Sequence, residues 1–256
     1  MKTACFACDV MIEADTAGAI ADAFVAHAAA DHDWSYPEKA LRNYAMNYAE
    51  AAERLTGPTE RLTEIGDITI EPVTEDRIDD WLTFFDRDAF ADNPDWGSCY
   101  CLEPHAPGTD DEPERYWQDT RGMMIERLRS GGTFGYLAYV DGVTAGWVNA
   151  SKRSDYAGSY ADVDGPEPSQ VVGVACFVVA PPYRRHGVSA ALLDRVLEDA
   201  TGRGASWVEA YPRDEPEETG DGPLFRGPPA LYEERGFEAA QSRERDVVMR
   251  RAAKPT

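Results

Sequence analysis

Apolar positions along this chain recur with two periods, and each predicts its own kind of element. Residues 171–179 form an apolar, β-branched run that must stop at Pro181-Pro182, because neither proline can donate a ladder hydrogen bond. Leu192, Leu193, Val196, Leu197 and Ala200 then recur at helical spacing. A strand is therefore predicted to feed a helix through Arg184-Arg185-His186-Gly187-Val188-Ser189. Residues 206–211 alternate as another strand, and 133–140 with 144–151 are predicted as a hairpin about the favourable turn pair Asp141-Gly142. Further strands are expected at 68–72 and near 246–250, and helices at 76–85, 114–129 and around Tyr232. Residues 155–170, rich in Gly, Ser, Asp and Tyr, are expected to form a loop.

Upstream the pattern is helical. Residues 16–31 present Ile20, Phe24 and Val25 along one helix. Ser35-Tyr36-Pro37-Glu38 reads as a capping box with proline in the first turn, opening a helix whose Leu41, Tyr44, Tyr48, Ala52 and Leu55 form one stripe. Thr56-Gly57-Pro58-Thr59 is a turn-rich break, so the chain divides into a small helical part, 1–58, and a larger domain, 65–256. Two helices in so short a segment make a poor core, a shortage that a metal or a docking surface commonly relieves. Cys5-Phe6-Ala7-Cys8 and the pair His27 and His32 put two thiolates on a knuckle and two imidazoles about a turn apart. Such a set can converge tetrahedrally on zinc. This resembles a C2H2 zinc finger, with residues 9–26 as a longer spacer than usual. Cys5, Cys8, His27 and His32 are thus the expected zinc ligands. Their helix carries Ala and Asp where a DNA reader carries Arg or Lys.

The segment 184–189 joins a strand end to a helix N-terminus, where free backbone N–H groups and the helix dipole make an anion site. A basic residue, two spacers, Gly, one spacer and a small residue let a diphosphate approach the main chain closely. Together with Val179-Ala180-Pro181, this segment resembles the GNAT superfamily of acyl-CoA N-acyltransferases, whose signature Q/R-x-x-G-x-G/A follows a strand ending in V-x-P. Arg184, Gly187 and Ser189 stand at its positions, with a serine where Gly or Ala is usual. Leu231-Tyr232-Glu233-Glu234-Arg235-Gly236-Phe237 resembles the family's L-Y-E-x-x-G-F helix end, and Gly236 suits a helix C-cap. Glu209-Ala210-Tyr211-Pro212, Phe225-Arg226-Gly227 and Cys99-Tyr100-Cys101 resemble one branch of the superfamily.

This resemblance spans about residues 65–251. It implies an α/β (α+β) fold, a central mixed, twisted sheet with helices on both faces, to which the first part adds a small helical zinc-binding module. It also implies acetyl-CoA as cosubstrate, held by Val179, Arg184, Arg185, His186, Gly187, Val188 and Ser189. The acetyl group would pass to a primary amine of a small molecule or a protein. The competing reading is an acetyl-CoA-sensing or protein-binding module without catalysis; the loop motif together with Tyr232 favours an enzyme. A homodimer is allowed for.

Acyl transfer from a thioester needs a proton for the departing thiolate and a neutral amine. The family motif implies Tyr232 as the acid. Glu209 shares a strand face with Trp207 and Tyr211, and a carboxylate flanked by aromatics suits a base, an ammonium clamp or a buried hydrogen-bonder. Asp162 and Asp164, in the loop expected to border the acceptor, are alternatives acting through water. Cys99 and Cys101, followed by Glu103 and His105, read as small groups packed near the acceptor pocket, ahead of a second metal site or a redox pair. Cys176 reads as core.

Charge changes the picture of the surroundings. Against 47 acidic residues stand 25 basic ones, a formal charge of −22, and the lysines are only Lys2, Lys39, Lys152 and Lys254. Self-repulsion of this size opposes compaction unless salt screens it, which points to a high-salt, halophilic cytoplasm. It also argues against nucleic acid and anionic membranes as partners. No apolar run approaches a membrane span, no secretory apolar region follows Met1, and the closely spaced cysteines suit reduced thiols or metal ligands. A cytoplasmic protein is expected.

Overall fold

In the computed structural model, which describes residues 1–8, 10–109, 114–213, 225–244 and 246–253, the chain opens with a small hairpin. Strands β1 (Lys2–Ala4) and β2 (Met11–Glu13) pair antiparallel and carry the Cys5-to-Cys8 knuckle between them. Helix α1 (Ala17–Asp31) follows, its first turn capped by the Thr16 hydroxyl, which accepts the Ala19 N–H at 3.2 Å. Helix α2 (Glu38–Arg54) starts after Pro37, without the capping box expected at Ser35: among the described residues no side chain caps it. The expected apolar stripe differs too, for Ala52 is exposed and α2 is buried on two sides. Leu41, Ala45 and Ala49 pack with Cys5, Ile20, Phe24 and Ala28, whereas Ala51 and Leu55 join Trp81, Phe84 and Phe85 of the larger part. One helix thus belongs to both cores.

Strand β3 (Ile68–Pro72) leads to α3 (Ile78–Thr83), which runs on as a π-turn over Phe84–Asp88, and then to a long irregular segment and α4 (Trp117–Ser130). Strands β4 (Gly135–Val140) and β5 (Val143–Asn149) make the expected hairpin, with Asp141 and Gly142 both at positive φ as a tight turn requires. The apolar run at 171–179 is two strands. Its first half, β6 (Val171–Val174), pairs parallel with β8 (Trp207–Ala210); its second half, β7 (Cys176–Val179), pairs antiparallel with β5. Helix α5 (Val188–Asp199) lies between β7 and β8 in sequence. The chain then forms α6 (Pro229–Glu233), β9 (Glu238–Ser242) and β10 (Val247–Ala252). The strand orders are β3-β4-β5-β7 and β6-β8-β10-β9.

The two sheets meet at Ala175. The Gly173 and Ala175 N–H groups still bond the Ser151 and Asn149 carbonyls, and beyond that point β7 and β8 belong to different sheets. α5 covers one face, burying Val188, Leu192, Leu193 and Val196 against Tyr136, Val148 and Phe177. Gly146 allows this approach, because a Cβ there would lie 2.9 Å from Val188 Cγ1. α3 and α4 cover the other face, with Trp81, Phe84 and Met124 against Leu137, Trp147 and Val178. Among the described residues no helix is long and apolar enough to cross a membrane.

Candidate functional site

The loop after β7 is built by local chemistry. Pro181 opens a single tight turn ending at Tyr183, Arg185 and Gly187 take positive φ (66° and 81°), and Gly187 caps the N-terminus of α5. The αL conformation is costly for an arginine and natural for a glycine, and it is common where main chain must present its N–H groups to a ligand. The result is a cleft of about 270 Å³ lined by Val179, Arg184, Arg185, Gly187, Val188 and Ser189, with Phe177, Phe225 and Leu231 as its apolar side. Of the residues expected to hold the cofactor, only His186 faces elsewhere: its Nε2 donates to the Leu62 carbonyl at 2.8 Å.

The two arginines of the loop are not equivalent. Arg184 donates through Nε to the Val179 carbonyl at 3.1 Å and grips Asp92 with both terminal nitrogens, at 2.5 and 3.0 Å. Its charge is partly offset, and its side chain braces the strand end. Among the described residues no carboxylate pairs with Arg185, which lines the cleft beside the first turn of α5.

Tyr232 is fully buried on α6, and its hydroxyl donates to the Arg226 carbonyl at 2.6 Å. A Cβ on Gly227 would come within 3.0 Å of that hydroxyl, so a cleft-lining glycine separates Tyr232 from the cavity. Burial drives the phenol pKa far above its ordinary value, which keeps its proton in place at neutral pH.

Glu209 lies elsewhere. Both carboxylate oxygens accept from Arg153 Nη1 at 3.0 Å, Arg250 Nε donates at 2.6 Å and the Tyr211 hydroxyl at 3.3 Å. The residue is 0% exposed. Every lone pair is engaged and no oxygen reaches the cleft, so the geometry fits the buried hydrogen-bonder among the readings of Glu209. Its role is to tie β8 to β10 and to the loop after β5.

A different carboxylate, Glu103, lies close to Arg226, whose carbonyl accepts from Tyr232. Glu103 is solvent-accessible, yet Tyr160 and Arg226 are close enough to act on its charge. Desolvation raises its pKa, outweighing Arg226 and Tyr160, which lower it. Arg226 lies 4.8 Å over the Tyr160 ring, and its own carbonyl accepts the hydrogen bond from the Tyr232 hydroxyl. From the sequence Glu103 stood only beside a second metal site or redox pair at Cys99 and Cys101, because the groups that act on it come from residues 160 and 226. His105, two residues on, faces no cysteine. It is buried among Thr133, Asn149 and the Asp155 carbonyl, and burial brings its pKa down to about 4.

The N-terminal cysteines and histidines do converge. The donor atoms of Cys5, Cys8, His27 and His32 all lie within 4.8 Å of one another. Cys5 Sγ is 3.4 Å from His32 Nε2 and Cys8 Sγ is 3.3 Å from His27 Nε2. Sulfur and nitrogen ligands of a tetrahedral zinc stand roughly 3.6 Å apart, given Zn–S near 2.3 Å and Zn–N near 2.1 Å. The other nitrogen of His27 is 2.8 Å from Asp31, the outer carboxylate that orients a ligating imidazole. Burial raises the Cys5 thiol, but hydrogen bonds from the Ala7 backbone, His27 and Cys8 bring it down to about 7.

Solved structures similar to this chain include an N-acetyltransferase from Staphylococcus aureus Mu50 (13% identity, 74% of this chain and 100% of that one, TM-score 0.46). Others are the GNAT domain of S. lividans PAT (16% identity, 73% and 91%, TM-score 0.44) and yncA of Salmonella typhimurium. The last is a putative acetyltransferase solved with its cofactor acetyl-CoA (14% identity, 74% and 95%, TM-score 0.41). No curated protein sequence matches the chain. The model of the acetyltransferase (GNAT) family matches residues 80–217, more than half of the sequence and the stretch that runs from α3 through β8. The chain belongs to the GNAT family of acetyltransferases.

Proposed function

We propose that this acetyl-CoA-dependent acyltransferase moves the acetyl group to a primary amine of a small molecule or a protein, in the cytoplasm of a cell rich in salt. The observation that carries the reading is the division of the 171–179 run between two sheets, with the 184–189 loop at the end of β7. Among the described residues the far edge of β7 pairs with no strand, so the pantetheine arm lies along it as an added strand while Arg185, Gly187 and Ser189 hold the diphosphate. Glu103 receives the ammonium proton, the amine attacks the thioester carbonyl, and Tyr232 supplies a proton to the departing thiolate. The last step needs the turn at Arg226 and Gly227 to give way, since the Arg226 carbonyl holds that hydroxyl.

Cys5, Cys8, His27 and His32 are proposed to hold one zinc ion in a closed, structural site. The ion would contribute folding energy to a module whose apolar core is small. Its place in the enzyme follows from α2, which carries that module's core on one side and packs on the acceptor half of the domain with the other.

Binding tests the reading directly. Calorimetry is expected to detect acetyl-CoA bound by the wild type and none bound by Gly187→Glu. That substitution forces a carboxylate into the diphosphate path at a φ of 81°. Unchanged affinity in the variant would overturn the assignment of the cleft.

A further inference from the structure

Cys101 and Cys176, 75 residues apart in sequence, have their sulfurs 3.2 Å apart. Cys176 is half-buried on β7, across from Asn149 and next to the cleft-lining Phe177. Cys101 is buried in the irregular segment between α3 and α4 that also carries Glu103. The contact is built at a cost. Tyr100 and Cys101 both have positive φ, 44° and 53°, a conformation that is strained for any residue that is not glycine. Strain of this kind persists only where the surroundings over-determine it. Here they do: the buried Tyr100 ring packs against Trp81 and Phe85, its hydroxyl donates to Asp86 at 2.6 Å, and Arg54 lies over its face. Asn149 Nδ2 donates to the Cys101 carbonyl from the other side. The anchored ring leaves the Cys101 side chain directed at β7.

We propose that Cys101 and Cys176 are a disulfide-forming pair that responds to peroxide and staples the Glu103-bearing segment to strand β7. Peroxide oxidises the more accessible Cys176 sulfur to a sulfenic acid and is reduced to water. The Cys101 sulfur then displaces the hydroxyl, forming the S–S bond and releasing a second water. Two thiol hydrogens and two electrons pass to one peroxide, so the step balances. A sulfur approach of about 1 Å brings the pair to bonding distance. Cys99 competes poorly for Cys101, since cysteines two apart rarely close a relaxed disulfide. The bond forms without any substrate; only its effect on catalysis rests on the reading of the cleft given above. Stapling holds the segment at one distance from the strand edge where the thioester lies, so the acceptor side loses freedom while the diphosphate loop is untouched.

The full chain, reduced and then treated with hydrogen peroxide, tests this by peptide mapping without reductant. The expected product joins the Cys101 peptide to the Cys176 peptide, disappears on reduction, persists in Cys99→Ser and is absent from Cys101→Ser and Cys176→Ser. Wild-type protein alone decides the matter should those variants fold poorly. A Cys99-to-Cys101 link, or Cys176 oxidised to sulfinic acid beside a reduced Cys101, would overturn the pairing. Hydrogen exchange over residues 98–106 is expected to slow in the oxidised form and to recover with reductant; equal exchange in both forms would overturn the staple. Acetyl-CoA affinity, measured on the same two samples, separates a failure of the thiol proposal from a failure of the cofactor site.

Discussion

Asn47 caps helix α4 from a different helix: its Oδ1 accepts the Trp117 backbone N–H at 2.8 Å, at the first residue of a helix that no local side chain caps. The same amide donates through Nδ2 to Glu114 Oε1 at 2.6 Å and to the Arg115 carbonyl at 2.7 Å. Glu50, one turn further along α2, accepts from the Trp117 indole and the Tyr116 hydroxyl, placing negative charge at the positive end of α4. Arg54 then ties the Phe85, Asp86 and Gly97 carbonyls. α2 is thereby a clamp on α4 and on the segment that follows α3. Asn47→Ala is expected to lower stability by about 2 kcal/mol, the usual range for a lost buried cap and its partners. Asn47→Asp should be worse than Ala, because it sets a second carboxylate against Glu114. Denaturant melts of the three proteins check the order; equal stability of all three would remove the clamp.

The two carboxylates at 103 and 209 are expected to behave oppositely. Glu103→Gln should lower kcat by roughly 10²-fold or more, the contribution of a positioned base, with acetyl-CoA affinity kept. A base works ionised, so the wild-type rate should rise with pH through the raised Glu103 pKa, and the variant should lose that limb. Glu209→Gln leaves Arg153 and Arg250 buried without their counter-charge, and about 3–5 kcal/mol of stability should go with it. Steady-state rates beside melting curves separate the two; a Glu209→Gln enzyme that folds normally but turns over slowly would reverse the roles.

Metal content is open to a simple assay. Protein purified without chelator is expected to carry about one zinc per chain by elemental analysis, and Cys5→Ser/Cys8→Ser essentially none. Removing the ion should lower the melting temperature and raise hydrogen exchange in α1, since the ligands join the knuckle between β1 and β2 to that helix. Metal-free protein as stable as its variant would count against the site.

His105 carries a pH dependence whose sign can be worked out. Unfolded, its imidazole titrates near the ordinary 6.5; folded, burial holds it at about 4. Between these values the unfolded chain binds the proton and the folded one does not. Stability from this group is therefore full above pH 6.5 and is lost as pH falls toward 4, by roughly 3 kcal/mol at most. In His105→Gln, which titrates nothing, the slope of stability against pH across that window should be shallower than in the wild type. Parallel slopes would mean the imidazole titrates normally in the fold.

Local pattern alone carried much of this protein. The hairpin about Asp141-Gly142, the strand-loop-helix at 171–200 and the α1 and α2 helices were legible because each rests on periodicity, turn residues or prolines that act within a few positions. The cleft-lining loop was legible for the same reason: proline, arginine, glycine and helix start are consecutive in sequence. The spacing of Cys5, Cys8, His27 and His32 likewise pointed to their meeting place, since a knuckle and one helix face have little freedom. Tertiary structure decided the rest. The run at 171–179 reads as one strand because all of it is apolar, and only the sheet each half joins divides it at Ala175. Period-two alternation put Glu209 between aromatics, but the arginines that occupy it come from residues 153 and 250. The Cys101 and Cys176 contact, the Asn47 cap on Trp117 and the surroundings of Glu103 all join segments far apart in the chain, where no local periodicity operates and packing alone selects the partner.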